Sequence, residues 1–129
     1  MANLNQILDH VAGDCKVEIN ENPSITATTG VVNSARLIRY GRICFFEVYV
    51  KNNSAVSSGS NIFVGTLNET DYLPYLNFAR STDYTGGHAC LFNLSTAGQI
   101  VCRNASTTAV SAGDSLRGCF VYFLDELGG

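Results

Sequence analysis

Charge is scarce in this chain. Asp, Glu, Lys and Arg make up 15% of its 129 residues, where a globular domain usually carries about a quarter. The eight Lys and Arg are scattered singly in a chain of net charge −3, so no basic field favours a nucleic acid partner. No apolar run approaches the ~20 residues of a membrane-spanning helix, and no membrane insertion is expected. Met1 to Gly13 has neither a basic leader nor a long apolar centre, so synthesis in the cytoplasm without a signal peptide is expected. The five cysteines (Cys15, Cys44, Cys90, Cys102, Cys119) contain no CxxC pair, and an odd count is no disulfide framework. Four of them fall in strand patterns, where a free thiol acts as a small buried hydrophobe. GxSxG, HExxH and a phosphate-cradling glycine loop are all missing. Neither catalysis nor a cofactor is expected, and no internal repeat is visible.

What the chain does have is apolar strand. The apolar fraction of 46% is ordinary, but in several stretches both faces are apolar. In Ile43 to Val50 the even positions Cys44, Phe46, Val48 and Val50 form one continuous core face. Ile43, Phe45 and Tyr49 make the other face apolar as well, relieved by Glu47. The last strand, Leu116 to Leu124, repeats the pattern, with Gly118 leaving a gap suited to a bulge or a close neighbour. A lone sandwich normally keeps one face of each sheet wet, so this surplus predicts association with copies of the same chain.

The rest of the pattern sets the architecture. Leu4, Ile7, Leu8 and Val11 fall at i, i+3, i+4 and i+7 and predict a short helix over Ala2 to Ala12, stopped by Gly13. Its stripe suits either a small bundle with neighbouring chains or packing on its own sandwich. Asp14 to Gly30 reads as an extended linker with a short strand near Lys16 to Ile19. The expected division is therefore a stalk-like segment, 1–30, and a head, 31–129. In the head, Ala35 to Arg39 and Ile43 to Lys51 flank a hairpin at Gly41. Asn61 to Gly65 is a third strand, and Glu69 to Gly87 reads as irregular, interrupted by Pro74. Ala89 to Leu94 and Gln99 to Arg103 form a second hairpin. Many short strands with polar turns predict an all-β, antiparallel, jelly-roll-like sandwich.

One sequence of turns and strands has a known counterpart. A Tyr40-Gly41 hairpin is followed by Ile62-Phe63-Val64-Gly65-Thr66-Leu67 and Tyr72-Leu73-Pro74. Then come a Gly98-Gln99-Ile100 hairpin, an Ala112-Gly113-Asp114 turn and a closing Val121-Tyr122-Phe123-Leu124. Over residues 31 to 124 this resembles the C-terminal head of bacteriophage tail-fibre and receptor-binding proteins, including prophage-encoded ones. The resemblance implies a compact antiparallel sandwich, a homotrimer about a threefold axis, a place in the virion, and binding of host cell-surface saccharide. The chain departs from the family where Asn68 to Asp71 add four residues before Tyr72.

Asp71 to His88 is the stretch in which contact with a saccharide is expected, through Tyr72, Tyr75, Arg80, Asp83, Tyr84 and His88. Flat rings stack on sugar C–H faces, and planar polar groups bind hydroxyls. The competing reading is that Tyr72, Pro74 and Phe78 plug one end of the sandwich or the threefold seam. The oligomer interface is expected at Leu4, Ile7, Leu8, Val11, Phe45, Tyr49 and Phe123. His88 and Cys90 would share a strand face and could join Cys102 or Cys119 around a metal, but the close ligand pairs usual for zinc are missing and no metal is expected. Alternatives are a lectin-like module of one or two copies, and a small glycan hydrolase using acids from Glu69, Asp71 and Asp83.

Overall fold

Period-two alternation is realised most fully where the sequence is most apolar. Cys44, Phe46, Val48 and Val50 are all buried, as are Leu116, Phe120 and Tyr122. The computed structural model describes residues 17–85 and 87–124, and these hold nine strands and no α-helix. They are β1 (Val17–Asn20), β2 (Ile25–Thr29), β3 (Val31–Tyr40), β4 (Ile43–Lys51), β5 (Asn61–Leu67), β6 (Ala79–Thr85), β7 (His88–Leu94), β8 (Gln99–Asn104) and β9 (Ser115–Phe123). The helix expected at Ala2 to Ala12, with Leu4, Ile7, Leu8 and Val11, lies outside the described residues.

The strands form two antiparallel sheets packed as a sandwich. Sheet A has the order β1-β3-β4-β9, and sheet B the order β2-β5-β8-β7-β6. Strands β6, β7 and β8 are a meander, and β5 returns beside β8, so β5 to β8 make a Greek key. A jelly roll has two such motifs; here the hairpins β3–β4, β6–β7 and β7–β8 each stay within one sheet. The expected hairpin at Gly41 is present. Its two-residue loop has positive φ at Gly41 (60°) and not at Arg42, the type II′ form that matches strand twist.

Two expectations are corrected. The short strand expected near Lys16 to Ile19 is present as β1, but the rest of the expected linker also holds the edge strand β2, so each sheet gains one strand from residues 17–29. The Thr-rich sequence of β2 hid it, because edge strands bury little. The irregular stretch ends at Phe78, and Ala79–Thr85 is strand β6, paired along its length with β7. Its inward residues Ser81, Asp83 and Thr85 are polar, so no apolar alternation announced it.

Gly30 carries the chain from one sheet to the other. With φ of 80° it turns β2 of sheet B directly into β3 of sheet A. Register shifts in β2, β3 and β5 lie close to this corner in the sequence or across it, as bulges do where strands change sheet. The bulge in β5 explains why consecutive Ile62 and Phe63 are both buried. A Cβ on Gly30 would sit 2.8 Å from the Ile62 carbonyl oxygen and 2.9 Å from that of Lys51.

Between the sheets, Phe46 stacks on Phe120 (centroids 5.8 Å apart) and Phe92 of sheet B meets Phe120 edge-on at 6.2 Å. Gly118 makes the space: a Cβ there would lie 2.8 Å from the Phe92 ring. The gap in the β9 pattern is thus filled by a close neighbour from the opposite sheet.

Burial holds the Cys44, Cys90 and Cys102 thiols above their ordinary value of 9.0. Tyr122 is raised above 10.0 mainly by burial, and Tyr72 mainly by its hydrogen bond to Glu18. In each case the native state keeps a proton that the unfolded chain gives up. Stability should therefore hold from neutral pH to about pH 9 and fall as pH rises further. Urea denaturation across pH checks this, and unchanged stability well above pH 10 would contradict it. Gly30→Ala should cost upwards of about 2 kcal/mol, since it combines an unfavourable positive φ with two backbone clashes. A urea midpoint equal to that of the unaltered chain would contradict the corner assignment.

Candidate functional site

The connection from β5 to β6, residues 68–78, closes one end of the sandwich and is tied down at several points. The Asn68 N–H donates to the Ser24 carbonyl (2.8 Å), and Glu69 Oε1 accepts from the Ser24 N–H (2.8 Å). A single 3-10 turn, Thr70–Tyr72, follows. The Tyr72 hydroxyl donates to Glu18 Oε2 at 2.6 Å, and the Tyr72 carbonyl accepts from the Tyr122 hydroxyl at 2.6 Å. Leu73 packs against the core, Pro74 is buried, and the Tyr75 N–H donates to the Phe123 carbonyl (3.0 Å). Anchored in this way, the loop presents Tyr75, Leu76 and Phe78 to solvent. The Arg80 guanidinium sits 4.5 Å from the centre of the Phe78 ring, a cation–π contact that orients both groups.

The six residues expected to touch a ligand do not converge. Tyr75 and Arg80 belong to this exposed cluster. Tyr72 is committed to hydrogen bonds in the end plug. Tyr84 is exposed four residues beyond Arg80 along β6, about 13 Å away at strand rise. His88 Nδ1 lies 3.0 Å from Ser106 Oγ and 2.9 Å from Thr108 Oγ1, where it helps hold the loop after β8. In the same loop the buried Asn104 amide donates to the Val56 and Thr108 carbonyls, and its oxygen accepts from Ser106. Phe78 and Leu76 complete the cluster. Leu76 is an apolar residue in a loop position that is usually polar, which was its only signal.

Asp83 has a different task. It lies where the edges of the two sheets meet, β6 of sheet B against β9 of sheet A. Asp83 Oδ2 accepts from the Arg117 N–H (2.7 Å), and Ser81 Oγ accepts from the Cys119 N–H (2.9 Å). Two side chains of one strand thus satisfy the free backbone donors of its neighbour. Exposed sheet edges otherwise recruit further strands.

The interface candidates Phe45, Tyr49 and Phe123 share the outer face of sheet A, with Phe45 and Phe123 in adjacent rows and Tyr49 farther along β4. Among the described residues no three His, Cys, Asp or Glu side chains group to hold a metal ion. Burial raises the thiols of Cys44, Cys90, Cys102 and Cys119, which disfavours the nucleophilic thiolate. Glu69 and Asp83, two of the acids considered for glycan cleavage, instead hold backbone N–H groups at Ser24 and Arg117.

Compared with protein-family models, the chain matches none, and compared with curated proteins it finds no match either.

Ser81→Ala and Asp83→Ala should each cost about 1 kcal/mol, by leaving a β9 donor without its protein partner at a partly wet edge. Asp83→Asn, which keeps an acceptor oxygen, should cost less. Amide exchange should quicken at Cys119 and Arg117 respectively. Unchanged exchange at both positions would remove the edge-sealing role.

Proposed function

We propose that this chain is a non-catalytic recognition head of the phage tail-fibre type, working as a homotrimer in a virion and holding host-surface saccharide. The observation that carries the reading is the anchored β5–β6 loop, which turns Tyr75, Leu76 and Phe78 outward with Arg80 laid on the Phe78 ring. Half-exposed rings on a tethered loop supply flat apolar surface for sugar C–H faces at little ordering cost. The guanidinium beside them offers several N–H donors to ring and exocyclic hydroxyls. One such shallow site binds weakly. Three on one knob, meeting a repetitive polymer, gain avidity without any new contact. The antiparallel sandwich agrees with the resemblance but carries no function by itself. A lectin-like module would use the same loop and differs in needing no threefold assembly.

Isothermal titration against purified cell-wall polysaccharide from candidate hosts tests the reading. Phe78→Ala and Arg80→Ala should each weaken binding tenfold or more, about 1.4 kcal/mol per decade. Tyr84→Ala, on the far part of β6, should bind as the unaltered chain does. Equal affinities for all four proteins, or no retention of any polysaccharide tried, would count against it.

A further inference from the structure

The two sheets differ in what they show to solvent. The outer face of sheet B is mostly polar, with Arg80, Thr82, Asn93, Gln99 and Arg103, and its exposed Tyr84 and Leu91 stand in different rows, Leu91 between Thr82 and Arg103. On sheet A the apolar residues align instead. Its strand registers align Val17, Tyr40, Ile43 and Phe123 in one row across all four strands, and Ile19, Ile38, Phe45 and Val121 in the next. Val17, Ile19, Tyr40, Phe45, Val121 and Phe123 are each between 44 and 62% exposed. Three of the six are aromatic, with on the order of 150–250 Å² apiece, and three are smaller aliphatic residues, so this half-exposed face amounts to roughly 500 Å². The largest apolar patch on a typical lone soluble protein is about 300–600 Å² and often serves binding, so this face lies at the upper end of that range. It also approaches the roughly 800 Å² each partner contributes to a stable interface.

Beside the apolar rows lies a ladder of alternating charge. Glu21 pairs with Arg36 at 3.2 Å, and Glu47 lies beside Arg36 in the register and 3.9 Å from Arg117. Two acids and two arginines sum to zero, so two such faces do not repel. Because the signs alternate from strand to strand, a copy shifted by about one strand spacing, ~4.8 Å, meets opposite charge. An apolar centre with a self-complementary polar margin is the composition of an interface between like chains.

We infer that the outer face of sheet A packs against further copies of this chain, and that Phe45 and Val121 lie at the centre of the contact. This rests on the homo-oligomeric part of the reading above and names the surface that serves it. Cys119 stands in the next row, beside Glu47, and is the exposed thiol among the described cysteines, which makes it a reporter of coverage.

The test is size-exclusion chromatography with light scattering on the unaltered chain, Phe45→Glu and Val121→Lys. The unaltered chain should run at a multiple of 13.9 kDa, and both variants, folded by circular dichroism, as single chains. In a Cys15→Ser background, maleimide labelling of Cys119 should be slow in the assembly and rise about tenfold on dilution, a readout that needs no surface variant. An assembly unmoved by both substitutions, with Cys119 freely labelled, overturns the assignment of this face while leaving an oligomer standing. A two-copy assembly dissolved by the substitutions upholds the face and removes the threefold axis. A single-copy unaltered chain overturns both.

Discussion

The register between β4 and β9 is the constraint on which the rest of the structure depends. It sets Phe46 opposite Phe120 inside the sandwich and Phe45 opposite Val121 outside it. A slip of one residue would exchange the two sets. In most half-buried sheets the alternation of apolar and polar residues forbids such a slip. Here both alternatives are apolar, so the usual safeguard is weak. Gly118 supplies one replacement, because only its position leaves room for the Phe92 ring arriving from sheet B. Ser81 and Asp83 supply another, by gripping the Cys119 and Arg117 N–H groups at fixed heights along β9.

Those same grips manage the sheet edges. Strand β9 ends sheet A and β6 ends sheet B, and side chains rather than a backbone ladder join them. At one end the Tyr75 N–H takes the Phe123 carbonyl, so the closing loop and the seam meet on β9. The loop that shows Tyr75, Leu76 and Phe78 to solvent is therefore built on the strand whose outer face is apolar. Display at the end of the sandwich and association through its flank draw on one element without competing for the same side chains.

The elements legible in the sequence were those whose residues bury area by a simple rule. The β3–β4 hairpin announced itself through Gly41, and β4 and β9 through two apolar faces each; those two strands prove to be hydrogen-bonded neighbours. The short strand near Lys16 to Ile19 was legible as β1, whereas β2 and β6 were hard to read because each lies at an edge, where inward positions need not be apolar. In β6, Ser81 and Asp83 point at backbone donors, a role that leaves no period in the hydropathy. The candidate site was legible in part. Aromatic residues in 71–88 were recognisable, but sequence spacing could not separate Tyr75 and Arg80, which face solvent, from Tyr72, bonded to Glu18, or His88, held by Ser106 and Thr108.

Two aligned apolar rows on the outer face of sheet A are the physical core of this account. Sedimentation equilibrium of the unaltered chain across the micromolar range addresses it most directly. The account predicts one reversible assembly of a few copies, whose mass falls toward 13.9 kDa only on strong dilution. A mass of one chain at every concentration would contradict it.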